Sequence, residues 1–129
     1  NGLAFSPDEK LLYVADTGLT HKTDCSPDIR VYPVAPDGRS VGAGRRFATC
    51  DAGLFDGFRV DIHGNVWSSA ADGVHCFTPD GTLIGKISIP EVVANVCFGG
   101  RKRNRLYICG TTSLYSVYLN TQGALRPKA

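Results

Sequence analysis

Between Phe55 and Gly73 the chain alternates apolar and polar residues. Phe58, Val60 and Ile62 fall on one side, and Arg59 and Asp61 on the other. That period of two is the one a β-strand imposes. His63-Gly64-Asn65 is a turn signal. Val66 to Ser69 resumes extended structure, and Asp72-Gly73 turns the chain again. An acid, Asp56, stands beside a glycine just ahead of the first strand. Two further stretches repeat this unit. One is Asn1-Gly2-Leu3-Ala4-Phe5, a turn at Ser6 to Lys10, then Leu11 to Asp16. The other is Asn95 to Gly100, a basic turn, then Leu106 to Gly110. The three openings, Asn1, Asp56 and Asn95, are 55 and 39 residues apart. A period near 40 built from short strands is the signature of propeller blades. The extra length of the first repeat lies mostly between Thr17 and Asp28, which reads as a loop.

The pattern predicts strands near 2–5, 11–16, 29–34 and 46–49, then 57–62, 65–69, 74–78 and 83–89, then 95–98, 105–109 and 113–119. Pro36-Asp37-Gly38 and Pro79-Asp80-Gly81-Thr82 are matching turns before the fourth strands of the first two units. The third unit has no fourth strand: residues 120–123 turn the chain and residues 124–129 form a polar tail. No stretch shows helical periodicity with caps. The expected fold is all-β, with sheets of four short antiparallel strands arranged as blades. Three blades do not close a ring, since propellers use about 4–8. Residues 1–129 are therefore expected to be about three blades, a fragment of a single six-bladed β-propeller domain roughly twice this length.

Composition narrows the partners. With 43% hydrophobic residues the chain can bury a core. Charged residues make up 20% and the formal net charge is +2, a balance that argues against nucleic acid or an anionic membrane as partner. No apolar run approaches the roughly 20 residues that cross a bilayer. Five cysteines are present, and none has the spacing of a metal site. Cys76, Cys97 and Cys109 fall within strand patterns and read as small buried hydrophobes. Cys97 and Cys109 sit on neighbouring strands, which leaves one bridge between them open.

The motifs in combination resemble the SMP-30/gluconolactonase/luciferin-regenerating-like family. The residues that carry the resemblance are Asn1 to Asp8 with Leu12 to Thr17, Asp56 to Asp61 with Gly64 to Trp67, and Asn95 to Gly100. It spans nearly the whole chain and identifies it with the C-terminal half of such a protein. The resemblance implies a six-bladed propeller with one divalent cation in the central channel, and an enzyme that hydrolyses lactones of sugar acids. It places two of the cation's ligands on Asn1 and Asp56, with a glutamate and a substrate-contacting asparagine expected upstream of Asn1.

The residue types agree with that expectation. Strand starts at an axis would aim Asn1, Asp56 and Asn95 toward one line. Amide and carboxylate oxygens suit a hard cation such as Ca²⁺, which takes about 6–8 oxygens; Zn²⁺, Mn²⁺ and Mg²⁺ are alternatives. Asp56 would serve as metal ligand and general base, or attack directly as a nucleophile. Asn95 is expected to contact substrate. The loop Thr17–Asp28 should overhang the channel mouth, and its His21, Lys22 and Asp24 could touch a polyhydroxylated ligand. The basic run Arg101 to Arg105 falls at the opposite end and reads as a solvated turn. Two other functions stay open: phosphotriester or other ester hydrolysis on the same propeller, and a non-catalytic binding module. Compartment, cytoplasmic or exported, and oligomeric state are not legible here.

Overall fold

The computed structural model describes residues 1–125. They form eleven strands in three antiparallel sheets. The first sheet is β1 (Leu3–Phe5), β2 (Leu11–Ala15), β3 (Asp28–Pro33) and β4 (Arg45–Thr49), paired in chain order. The second is β5 (Phe58–Val60), β6 (Val66–Ala70), β7 (Gly73–Phe77) and β8 (Leu83–Ser88). The third contains β9 (Val93–Gly99), β10 (Arg105–Gly110) and β11 (Leu114–Tyr118). The only other element among the described residues is a single 3₁₀ turn, Gly18–Thr20, in the long first-sheet loop. This is the all-β, three-blade arrangement that the repeat spacing predicts. The polar tail expected over residues 124–129 lies largely outside the described residues.

Register follows from the tight turns. Leu3 faces Val14 and Phe5 faces Leu12 in the first blade, and Phe58 faces Ser68 and Val60 faces Val66 in the second. The first strands of the blades lie side by side. The Gly2 N–H donates to the Asp56 carbonyl at 3.1 Å, and the Gly57 N–H donates to the Ala94 carbonyl at 2.9 Å. β1, β5 and β9 thus form the inner row, and successive strands step outward.

Two cores fill the gaps between blades. Tyr13, Ile29, Val31 and Phe47 of the first blade pack against Phe55, Phe58, Val66 and Phe77 of the second. Val74 on the other face of the second blade packs with Val93, Val96, Phe98, Leu106 and Ile108 of the third, with Trp67 and Ile87 at the edge. The middle blade is covered on both faces, so all five residues of β7 are buried. A strand buried on both sides loses the apolar–polar alternation that one covered face would leave. The outward faces of the end blades carry exposed Leu3, Phe5, Leu114 and Tyr118.

Two local readings need correcting. Ile62 does not continue the buried face of β5: the strand ends at Val60, Ile62 is exposed and Asp61 is fully buried. The turn back to β6 supplies hydrogen-bond donors that pull the Asp61 carboxylate inward, and this overrides the period of two. Cys76 is buried as expected, but Cys97 and Cys109 are exposed free thiols on the open face of the third blade. Nothing among the described residues covers that face, so position within a strand pattern did not determine burial.

The chain after β11 does more than turn. It comes back beneath β5, with Ile62 N–H donating to the Gln122 carbonyl, Ala124 N–H donating to the Val60 carbonyl, and Asp61 bridged to Gly123. This return straps the second and third blades together at the end of β5 away from Asp56.

Candidate functional site

The starts of the inner strands are held by backbone and by two glycines. A Cβ on Gly2 would collide with the Asp56 carbonyl, and a Cβ on Gly57 would collide with the Asn95 side-chain amide. Only glycine lets neighbouring blades approach this closely. The Asn-Gly and Asp-Gly pairs are therefore packing devices as well as bearers of a polar side chain. They stack Asn1-Gly2 on Asp56-Gly57, and Asp56-Gly57 on Ala94-Asn95. Within its own blade Asp56 is fixed by Ser69, whose buried hydroxyl accepts the Asp56 N–H at 3.2 Å, while the Ser69 N–H donates to the Gly57 carbonyl at 3.0 Å.

The side chains differ in how much of their capacity is used. Asp56 is half-buried, and among the described residues no hydrogen bond reaches its carboxylate. The Asn95 side chain is exposed, and its Oδ1 accepts the Val96 N–H at 2.9 Å, which leaves its amide NH₂ free to donate outward. Asn1 is exposed, and its nitrogen donates to the Ala15 carbonyl at 3.0 Å. His21 follows the 3₁₀ turn in the loop after β2, where its N–H donates to the Gly18 carbonyl. Asn1 and His21 line one open cavity of about 360 Å³, together with Asp16, Arg30 and Tyr32. Asp16 is partly used in shaping that loop, since its Oδ1 accepts the Gly18 N–H at 2.9 Å.

A second polar cluster lies farther out at the same end of the middle blade, and the sequence reading did not pick it out. His75 on β7 is 1% exposed. Its Nε2 is 2.6 Å from Asp72 Oδ1, and its Nδ1 is 3.8 Å from Asp51 Oδ1. The Lys86 Nζ donates to Asp51 Oδ1 at 2.7 Å and to Asp72 Oδ2 at 3.1 Å. Phe55, immediately before Asp56, meets the His75 ring edge-on with centroids 6.1 Å apart. Partial burial pushes the Asp72 carboxyl up, but hydrogen bonds from His75 and Lys86 outweigh it and hold the pKa below the ordinary value. Lys86 is pushed up, chiefly by its hydrogen bond to Asp51. Asp72 and His75 are close in sequence, whereas Asp51 comes from the link between blades and Lys86 from the outermost strand. Only the fold joins them.

Residues 1–112 match the family described as the SMP-30/Gluconolactonase/LRE-like region. The gluconolactonase of Zymomonas mobilis is 36% identical over 132 residues, an alignment that covers 95% of this chain and 35% of that protein. A gluconolactonase from Xanthomonas campestris has a solved structure that superposes with a TM-score of 0.79 at 39% identity, covering 92% of this chain and 37% of that one. Regucalcin from Agrobacterium tumefaciens, a calcium-binding protein, shares the fold with a TM-score of 0.75 at 21% identity, covering 98% of this chain and 47% of that one. The chain thus spans about a third of the length of the curated relatives it matches. With a match over most of its length, the chain belongs to the SMP-30/gluconolactonase/LRE-like family.

Proposed function

We propose that the protein carrying this chain hydrolyses lactones of sugar acids and uses a divalent cation whose oxygen ligands include Asn1 and Asp56. The single observation that carries this reading is the state of Asp56. It is a half-buried carboxylate just ahead of an inner strand, free of hydrogen-bond partners among the described residues, between Asn1, ahead of β1, and Asn95, the third residue of β9. A carboxylate held by its backbone and left unsatisfied at its side chain is available to a cation or a proton. Family membership and the gluconolactonase relatives support the substrate class. In the same reading, residues 1–129 are part of a single larger propeller domain, which would cover the apolar outward faces of the first and third blades.

The donor set fits a hard cation. Asp56 offers charged oxygens and Asn1 a neutral one, which matches the all-oxygen preference of Ca²⁺ better than the nitrogen and sulfur ligands common for Zn²⁺. When bound, such an ion polarises a carbonyl and acidifies water. The chain's own residues supply the rest. The Asp56 carboxylate accepts the proton of the attacking water as the water oxygen bonds to the lactone carbonyl carbon. That proton passes to the ring oxygen as the ester bond breaks, leaving the open hydroxy acid. The free Asn95 NH₂ donates to a substrate hydroxyl, and His21 reaches the substrate from the loop that shares a cavity with Asn1.

The test is the intact protein with gluconolactone, stripped of metal and titrated with Ca²⁺, Mg²⁺, Mn²⁺ and Zn²⁺, with a phosphotriester run in parallel. Cation-dependent lactone hydrolysis lost in Asp56→Asn is expected. Equal turnover of lactone by wild type and Asp56→Asn, or turnover of the phosphotriester alone, would overturn the reading.

A further inference from the structure

The outer cluster on the middle blade holds one group whose chemistry is unspent. His75 is 1% exposed, and its Nδ1 has no hydrogen-bond partner among the described residues. A buried polar nitrogen left unpaired is costly, so the ring's setting calls for an explanation. The other ring nitrogen is already committed: Nε2 lies 2.6 Å from Asp72 Oδ1. That contact places a proton on Nε2, so in the neutral ring the lone pair is on Nδ1. The lone pair lies 3.8 Å from Asp51 Oδ1, a carboxylate oxygen that has no proton to give it at neutral pH. An acceptor facing an acceptor is what a cation joins.

We propose that Asp51 and His75 form a second cation site, of mixed nitrogen and oxygen ligands, with Asp72 orienting the imidazole. Three features of the geometry carry this. The ligand atoms of Asp51, Asp72 and His75 all lie within 4.8 Å of one another. With Zn–N and Zn–O bonds of about 2.1 Å, a tetrahedral ion holds its ligand atoms about 3.4 Å apart, so the 3.8 Å between Nδ1 and Asp51 Oδ1 has to close by only a few tenths of an ångström. The carboxylate–imidazole pair behind Nδ1 is the arrangement that fixes ring orientation and raises basicity in metal-binding histidines. The carboxylates face solvent, the side chains of Asp51 and Asp72 being 58% and 44% exposed, while the imidazole beneath them is buried.

Lys86 sets the condition for binding. Its ammonium bridges Asp51 and Asp72 and neutralises one of their two charges. It sits on the outermost strand of the blade, about a third exposed, so it can swing into solvent when a divalent ion arrives. The site then exchanges one bound positive charge for another. The imidazole selects a borderline ion such as Zn²⁺ over Ca²⁺. Asn1 and Asp56 offer only oxygens, so the two ends of the Phe55–His75 contact would sort cations by type. This site does not depend on the lactonase reading, and no residue of it is used there.

The experiment follows the ring nitrogens of the intact protein, labelled at histidine, by NMR during addition of Zn²⁺ and separately of Ca²⁺, with His75→Gln identifying the His75 signals. Zn²⁺ is expected to shift His75 Nδ1 in the manner of coordination while Ca²⁺ leaves it in place. In zinc-binding calorimetry, Lys86→Gln should bind more tightly than wild type, because a competing charge is gone. Asp72→Asn should bind about 10–100-fold more weakly, the scale of losing an orienting carboxylate. A His75 ring protonated on both nitrogens and unmoved by Zn²⁺ would overturn the proposal and leave His75 as an imidazolium held between two carboxylates. Unchanged zinc affinity in Lys86→Gln would overturn it as well, and that surface variant does not depend on the core refolding around a new residue.

Discussion

The inner strand β5 carries an aspartate just beyond each end, and the two have opposite surroundings. Asp61 is fully buried and accepts five hydrogen bonds: from the His63 and Asn65 N–H groups, the Asn65 side chain, Trp67 Nε1 and Thr121 Oγ1. Asp56 is half-buried, anchored through its backbone, and receives none on its carboxylate among the described residues. Burial tends to push the Asp61 carboxyl up, but the donors from Trp67, Asn65 and His63 outweigh it and leave its pKa below the ordinary value. A carboxylate whose lone pairs are all engaged is part of the scaffold. One whose backbone is fixed and whose oxygens are open can do chemistry. The residue type is the same, and burial and the supply of donors separate the roles.

The comparison breaks most sharply at Asp61. Asp61→Ala strands five donors around a fully buried position, most of them partly buried, and is expected to cost more than about 3 kcal/mol in the intact protein, read as a fall in the denaturation midpoint. The pH dependence has a definite sign. A carboxylate whose folded pKa is depressed contributes stability that is complete above its unfolded value, near 3.8. That contribution fades as pH falls through the folded value. Wild type should therefore lose stability below about pH 4 more steeply than Asp61→Asn does. If the two acid limbs superimpose, Asp61 is not the saturated group described above.

At Asp56 the effects trade places. Asp56→Asn should leave the denaturation midpoint within about 1 kcal/mol of wild type, since no hydrogen bond to the carboxylate is lost. Its lactone hydrolysis should fall at least about 10²-fold, or about 2.7 kcal/mol in barrier. A large stability loss without a loss of rate would make Asp56 a second scaffold acid.

Gly57→Ala sharpens the link between the two roles. The new Cβ would meet the Asn95 side chain from its Cβ to its amide, so Asn95 must be displaced at the inner edge of the third blade. A cost of about 1–3 kcal/mol is expected, with weaker cation binding alongside it. Calorimetry on the folded variant that returns wild-type cation affinity would separate blade spacing from the site. Ser69→Ala is the mildest change. It removes the acceptor of the Asp56 N–H and should cost about 1 kcal/mol, with KM moved less than kcat if Asp56 loses its aim.

The repeat and the strands were open to reading because blade repeats are local. Each strand is a short apolar run bounded by turn residues, and the boundaries observed lie within a few residues of those expected. Asn1, Asp56 and Asn95 stood out for the same reason, each holding the same place in its copy. The sequence could not say which aspartate of the Asp56–Asp61 pair would be saturated. Thr121, which donates to Asp61, is 60 residues away and reaches it only because the chain folds back beneath β5 after β11. It could not say that Ile62 would be exposed, or that Cys97 and Cys109 would lie on an open face.

By itself, then, the sequence determined the all-β class, the three blades and the family, because period and turn chemistry act over a few residues. The tertiary structure alone decided which polar groups are satisfied. Satisfaction depends on donors and acceptors from distant strands meeting within about 3 Å, and no local pattern encodes that distance. The buried Asp61 knot and the cluster of Asp51, Asp72, His75 and Lys86 both came from that meeting, one with its hydrogen bonds complete and the other with a nitrogen still unpaired.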